Sequence, residues 1–312
     1  MAVNEDVTNR VEWRELPPMV RKGIEQRLGL RVTSATNQVG GFSHGLAACV
    51  RLEDGTAAFI KAVSVHDGLV ERYRAEAATA AELSARIPTP EVRFTVEAAG
   101  WFAVAFEFIE GHHPQLDQQD ELNSVLRMLD ELAEKLTPSP IPGAPAISDV
   151  YGPKLICWRQ FAERGAPADM DEWASRNLHR LAQLESTWPE CAVGDSLLHT
   201  DLRPDNMLIR GDGSPFIVDW AWPCRGAAWI DLASLVPSIA GKGLDPDPIL
   251  ASHRVTRDID PAAIDAFLCG LAGYWAYHSR QPAPRRVPNL RRYQARSARI
   301  TQEWLSRRLA WA

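Results

Sequence analysis

Between Leu197 and Trp220 the chain reads LLHTDLRPDNMLIRGDGSPFIVDW, and oxygen-bearing side chains in it fall at spacings that suit one chemistry. Asp201 and Asn206 precede two short apolar runs, Met207 to Arg210 and Phe216 to Trp220, and Asp219 stands near the end of the second. Gly211-Asp212-Gly213 between the runs is turn chemistry, so the stretch is predicted to be a hairpin holding these residues at fixed points. Moving a phosphoryl group onto a hydroxyl needs a carboxylate for the hydroxyl's proton and ligands that hold magnesium on nucleotide phosphates. Magnesium is a hard cation that takes a few oxygen ligands and keeps several waters. Asn206 and Asp219 are candidate ligands on that ground. Asp201, five positions before Asn206, is left to face the acceptor. A solvated, acid-rich turn is the bland alternative; several matched positions argue against it.

A second candidate group lies upstream. The strand predicted over Thr56 to Val65 is apolar except for Lys61, which alternation places on one face with Phe59 and Val63. The chain has five lysines against twenty-nine arginines, so a lysine inside a strand invites explanation. A buried ammonium is costly unless paired. The helix predicted over Asp67 to Arg86 supplies the mate: Glu76 shares a face with Leu69, Tyr73, Ala80 and Leu83. Glu71 and Glu82 fall elsewhere and read as surface partners of arginines. An edge-strand lysine reaching solvent is the alternative; under the phosphoryl-transfer reading, nucleotide phosphates and Glu76 would share Lys61.

The elements that position these groups follow in order. Residues 1–16 read as a mobile leader, and a helix from Pro17-Pro18 to Gly29 comes next. Strands flank the loop Val39-Gly40-Gly41-Phe42-Ser43-His44-Gly45, whose glycines would let backbone N–H groups approach phosphates. Alone this loop is weak, being neither G-x-G-x-x-G nor a P-loop. Strands at Glu91 to Val96 and Trp101 to Ile109 form a hairpin, and beyond Glu110-Gly111 the pattern turns helical. Helices are predicted near 122–136, 170–184, 229–239, 261–278 and 289–309, with Asp260 as an N-cap.

His199 to Asn206 resembles the catalytic loop of the protein-kinase-like superfamily. Ile217-Val218-Asp219-Trp220, then Gly226 and Asp231-Leu232-Ala233, is similar to the aminoglycoside phosphotransferase and choline kinase family. The resemblance runs from about Val39 to Leu235. It implies an α+β, bilobal protein-kinase-like fold: an antiparallel five-stranded sheet plus helix over 1–110, and a mainly helical lobe over 111–312. It implies Mg2+ as cofactor and ATP or GTP as co-substrate. It gives Asp201 as base and Arg203 as holder of developing charge. Ser43 becomes a phosphate contact, and the main chain over Glu107 to Ile109 the adenine edge. Asp231 and His199 read as scaffold, Asp231 capping its helix and bracing the loop. No Ala-Pro-Glu segment follows Asp219, so the peptide-docking element of protein kinases is missing and a small-molecule acceptor is favoured.

Composition bounds the alternatives. With 46% hydrophobic residues in 312, a sizeable core is available. A net charge of -6 gives no reason to expect nucleic acid, and the arginines of the last helix read as a solvated face beside a packing stripe of Tyr293, Ile300, Trp304 and Leu305. Five scattered cysteines without a C-x-x-C pair read as reduced thiols in a cytoplasmic protein. No apolar run approaches membrane length, and the amino terminus is too polar for a signal peptide. Trp158, Trp222 and Trp275 invite a stacking role, with core packing as the default. Aminoglycosides are polycations and would want acid nearby, to which Asp245 and Asp247 could contribute. Composition does not announce such a pocket; it is the resemblance that implies an antibiotic as acceptor. Choline, homoserine or a sugar is the metabolic alternative, and a nucleotide-binding pseudokinase the alternative of another class.

Overall fold

Period-two alternation builds the sheet that carries Lys61. In the computed structural model, which describes residues 8–311, a tight turn at Trp13–Glu15 leads into helix α1 (Pro18–Leu28). Proline suits a first helical turn, and Gly29 ends the helix in the left-handed conformation at φ 75°. Then come β1 (Val32–Asn37), β2 (Leu46–Leu52), β3 (Ala57–Ser64), α2 (Val70–Leu83), β4 (Val92–Ala98) and β5 (Trp101–Glu107). The strands form one antiparallel sheet in the order β1-β2-β3-β5-β4. Ala58, Ile60 and Ala62 of β3 join Val20 and Ile24 of α1 in one core. Val63 joins Tyr73, Ala77 and Ala80 of α2 in the other, the face from which Lys61 projects.

The chain continues through α3 (Gln119–Lys135), α4 (Ile147–Tyr151), α5 (Cys157–Arg164), α6 (Glu172–Arg176), α7 (Leu178–Glu185), α8 (Trp188–Cys191) and β6 (Ser196–Leu198). After the hairpin β7 (Met207–Ile209) and β8 (Pro215–Ile217) come β9 (Cys224–Gly226), which pairs with β6, and α9 (Trp229–Ala240). Helices α10 (Asp247–Ser252), α11 (Pro261–Ser279) and α12 (Leu290–Leu309) complete the order. Two compact units result. The first runs to Pro114 and takes in Asp205–Trp222 and Ala283–Asn289; the second holds Gln115–Pro204, Pro223–Pro282 and the chain from Leu290. In the second, α11 starts on Asp260, whose carboxylate accepts from Ala262 N, and it packs against α5, α7, α8, α9 and α12.

Several expectations change. The first seven residues of the supposed leader lie outside the described residues. From Thr8 to Leu16 the chain is not a mobile leader: Val11 and Trp13 pack on the core and Leu16 is enclosed within it. The helix predicted over 170–184 is two, broken at Asn177, whose buried amide returns to the Trp173 carbonyl at 3.0 Å and competes with helical continuation. Asp247 is no spare acid, because it accepts from Arg308 Nη1 at 2.9 Å and from Trp304 Nε1 at 3.1 Å. Trp158 is wholly buried and donates to the Cys269 carbonyl, while Trp222 carries the Arg72 guanidinium 3.9 Å above its ring. Among the described residues no helix is long and apolar enough to cross a membrane.

Candidate active site

In the first unit the sheet delivers Lys61 to a carboxylate on each side. Its Nζ lies 2.5 Å from Glu76 Oε2 and 3.1 Å from Asp219 Oδ1. Glu76 reaches it because α2 packs across the Lys61 face of the sheet; both residues are buried. Burial works against the ammonium, yet Asp219 and Glu76 together outweigh it and hold Lys61 above its ordinary pKa. Burial pushes the Glu76 carboxyl up to about 7, with Lys61 pulling against it. The trio holds one cation and two carboxylates, so ionised it has a surplus negative charge that suits a divalent cation at Asp219.

The hairpin positions the two candidate ligands, Asn206 and Asp219. Asn206 is buried at the end of a tight turn over Pro204–Asn206, and its carbonyl accepts from Val218 N at 3.0 Å. Asp219 follows directly, in the left-handed region at φ 68°, a conformation that costs a non-glycine residue on the order of 1 kcal/mol or more. Its side chain is 38% exposed, open enough to admit an ion. One carboxylate and one amide oxygen make a hard, sparse donor set of the kind magnesium takes. Ile217 N donates to the Pro88 carbonyl, which ties the hairpin to the residues after α2.

In the second unit Asp201 lies in a loop braced from beneath. Both carboxylate oxygens of buried Asp231 accept backbone amides, His199 N and Thr200 N, each at 2.9 Å. Asp231 does not cap α9, whose N-cap is Ala228. Burial raises the Asp231 pKa, and His199 with the two amides pulls it back. Buried His199 accepts Asp201 N at Nδ1, 3.3 Å away. Thr200 is held at φ 66°, unusual for a β-branched residue, with its hydroxyl 3.0 Å from that of Tyr151. Asp201 is 40% exposed, and Arg203 pairs with it, Nε 3.1 Å from Oδ1 and Nη2 donating to Oδ2 at 3.3 Å. The guanidinium also sits 5.3 Å from the centre of the Tyr293 ring.

The structure thus brings Lys61, Glu76 and Asp219 together in one unit, and Asp201, Arg203 and Asp231 in the other. Ser43 spends its hydroxyl on Tyr73, at 2.6 Å. Glu107 ends β5 opposite Ala58, with its N–H bonded to the Glu91 carbonyl, and Ile109 is buried just beyond. A shallow cavity of about 540 Å³ follows, lined by Glu110, Gly111, His112, Arg210, Gly211 and Asp212. Sequence reading missed Arg10, Tyr73, Tyr151 and Tyr293 as members of these clusters. Tyr73 and Tyr293 are legible only as parts of apolar helix faces, and the other two carry no local signal at all.

A family model described as the phosphotransferase enzyme family matches residues 41–282. The chain belongs to this family. It is a phosphotransferase of the small-molecule kinase kind. Among solved structures this phosphotransferase is similar to choline kinase LicA from Streptococcus pneumoniae (14% identity, TM-score 0.62), covering 93% of this chain and 99% of that one. The AMP-bound spectinomycin phosphotransferase APH(9)-Ia is 16% identical, with a TM-score of 0.61 and coverage of 91% and 93%. An aminoglycoside phosphotransferase from Alicyclobacillus acidocaldarius is 14% identical, with a TM-score of 0.59 and coverage of 96% and 98%. At these identities the likeness is one of fold, the α+β protein-kinase-like fold. A comparison with curated proteins gives no match.

Proposed function

We propose that this phosphotransferase moves the γ-phosphate of ATP or GTP to a hydroxyl of a small molecule, and that the acceptor is an antibiotic containing an aminoglycoside, another sugar or a nucleoside. The observation that carries the nucleotide half is the buried Lys61 held between Glu76 and Asp219, because an ammonium so placed can pair with phosphate oxygens while its own position stays fixed. Asn206 and Asp219 would hold Mg2+, which when bound neutralises phosphate charge. Ser43 lies in the glycine loop that would cover the phosphates, and the main chain over Glu107 to Ile109 would take the base edge. Asp201 accepts or orients the proton of the attacking hydroxyl, and Arg203 keeps its carboxylate aligned. The unpaired thiols suit a cytoplasmic enzyme.

The names of similar structures support the acceptor class, one being a spectinomycin phosphotransferase and another a complex with GDP and kanamycin. A metabolic acceptor is the second reading, favoured by the likeness to a choline kinase. The test is a transfer assay with ATP or GTP, magnesium and a panel of aminoglycosides, nucleoside antibiotics, choline, homoserine and sugars, read by mass of the phosphorylated product. Product from an antibiotic and not from the metabolites is expected. Product from choline alone would favour the second reading, and nucleotide binding with no product from any acceptor would favour a pseudokinase.

A further inference from the structure

The segment before α1 runs against the glycine loop and fastens it. Arg10 Nη1 donates to the Ser43 carbonyl at 2.5 Å and Nη2 to the Gly40 carbonyl at 2.7 Å. Thr8 Oγ1 donates to the Gly41 carbonyl at 2.6 Å, and Val11 N to that of His44 at 3.1 Å. The approach needs glycine: a Cβ on Gly41, itself at φ 69°, would stand 2.8 Å from Arg10 Nη2. Segment and loop are held from outside as well, by Asn9 N on the Arg286 carbonyl and by His44 on Asp67 at 2.7 Å.

Two features exceed what a strut requires. Arg10 Nε is buried with no hydrogen-bond partner among the described residues, and each Nη group, bonded to one carbonyl, carries a second N–H. Burial depresses the guanidinium's pKa, while Tyr73 and Asp219 act on it to raise it, so Arg10 lies within the field of the same Asp219 that Lys61 touches. Tyr73 links them further, its hydroxyl on Ser43 and its ring 5.4 Å from Lys61 Nζ. A buried, fixed, permanently charged fork with a donor to spare is the chemistry that recognises phosphate oxygens.

We propose that Arg10 is a phosphate-binding residue of the nucleotide site, and that Thr8 to Val11 completes the glycine loop as a second, sequence-distant half. This rests on the nucleotide-site reading above. Neither the glycine loop pattern nor the family match, which begins at residue 41, includes Arg10.

The test compares ATP and GTP, each with magnesium, against adenosine and guanosine, by calorimetry on the full chain. Wild type, Arg10→Ala and Arg10→Lys are used, with thermal unfolding run alongside. A triphosphate affinity at least about tenfold weaker in Arg10→Ala, with nucleoside affinity unchanged, is expected. Arg10→Lys, which keeps the charge and loses the fork, should fall between, and it stands in for Arg10→Ala should that variant not fold. Unchanged triphosphate affinity, a gain, or an equal loss for the nucleoside would each overturn the proposal. Wild type that binds no nucleotide would sink the underlying reading with it; wild type that binds, with variants that bind equally, would sink this inference alone.

Discussion

Asp201 is held in place rather than left loose. Arg203 lies against it, and the Tyr293 hydroxyl is hydrogen-bonded to Arg203 and to Ser297, so a residue of α12 steadies the arginine beside Asp201. Burial raises the Tyr293 pKa, so this hydroxyl stays protonated through neutral pH. Tyr293→Phe keeps the ring and removes the hydroxyl with both of its hydrogen bonds. The expected result is a fall in kcat of about three- to tenfold, with KM for nucleotide within about twofold of wild type. An unchanged kcat would remove Tyr293 from the site. Lys61 and Glu76 were legible in the sequence because each obeys a local rule: a lysine out of place in an apolar strand, and a glutamate on the apolar face of a helix. Arg10 obeys none, and the stripe that holds Tyr293 speaks of packing and not of a site. The loop carbonyls that Arg10 reaches and the Arg203 that Tyr293 faces lie thirty or more residues away, and only packing reveals them.

At the scale of elements, capping and periodicity foretold the sheet, α2, α3, α9 and α11 closely, since each has a regular apolar face or a proline and aspartate at its start. The short helices between 147 and 191 were not foretold, apart from the run split at Asn177, because four to eight residues hold too few repeats of a helical period. Among them α5 is held by Glu185 of α7, whose carboxylate accepts Trp158 N at 3.0 Å and Arg159 N at 3.2 Å. Burial pushes Glu185 up to about 7 from an ordinary 4.5, against the pull of those amides and Arg159. A carboxyl raised on folding lends stability that is complete below about 4.5 and is lost as pH rises through about 7. Wild type should therefore lose roughly 2 to 4 kcal/mol relative to Glu185→Gln between pH 4.5 and 7.5, as read by urea unfolding at both pH values. A constant difference between the two proteins would show that Glu185 does not titrate in this window.

For the molecule as a whole, the first unit is not one stretch of chain. Asp205–Trp222 belongs to it because His112 and Ile209 exchange backbone hydrogen bonds at 3.0 and 2.7 Å and Ile217 N reaches the Pro88 carbonyl. The motifs announced phosphoryl transfer and the fold class, since few spacings serve that chemistry. They did not announce the acceptor, whose recognition is spread over side chains without a fixed spacing. A division of labour, with residues 1–110 binding nucleotide and 111–312 carrying the catalytic loop, the metal site and the acceptor site, is our proposal for how the two sets of residues serve one reaction. The central claim is that Asp201 acts on the acceptor while the Lys61 cluster holds the nucleotide. It is tested most directly by measuring turnover and nucleotide affinity together in Asp201→Ala. The account predicts turnover lower by about two to four orders of magnitude with nucleotide affinity close to wild type; turnover retained at the wild-type level would contradict it.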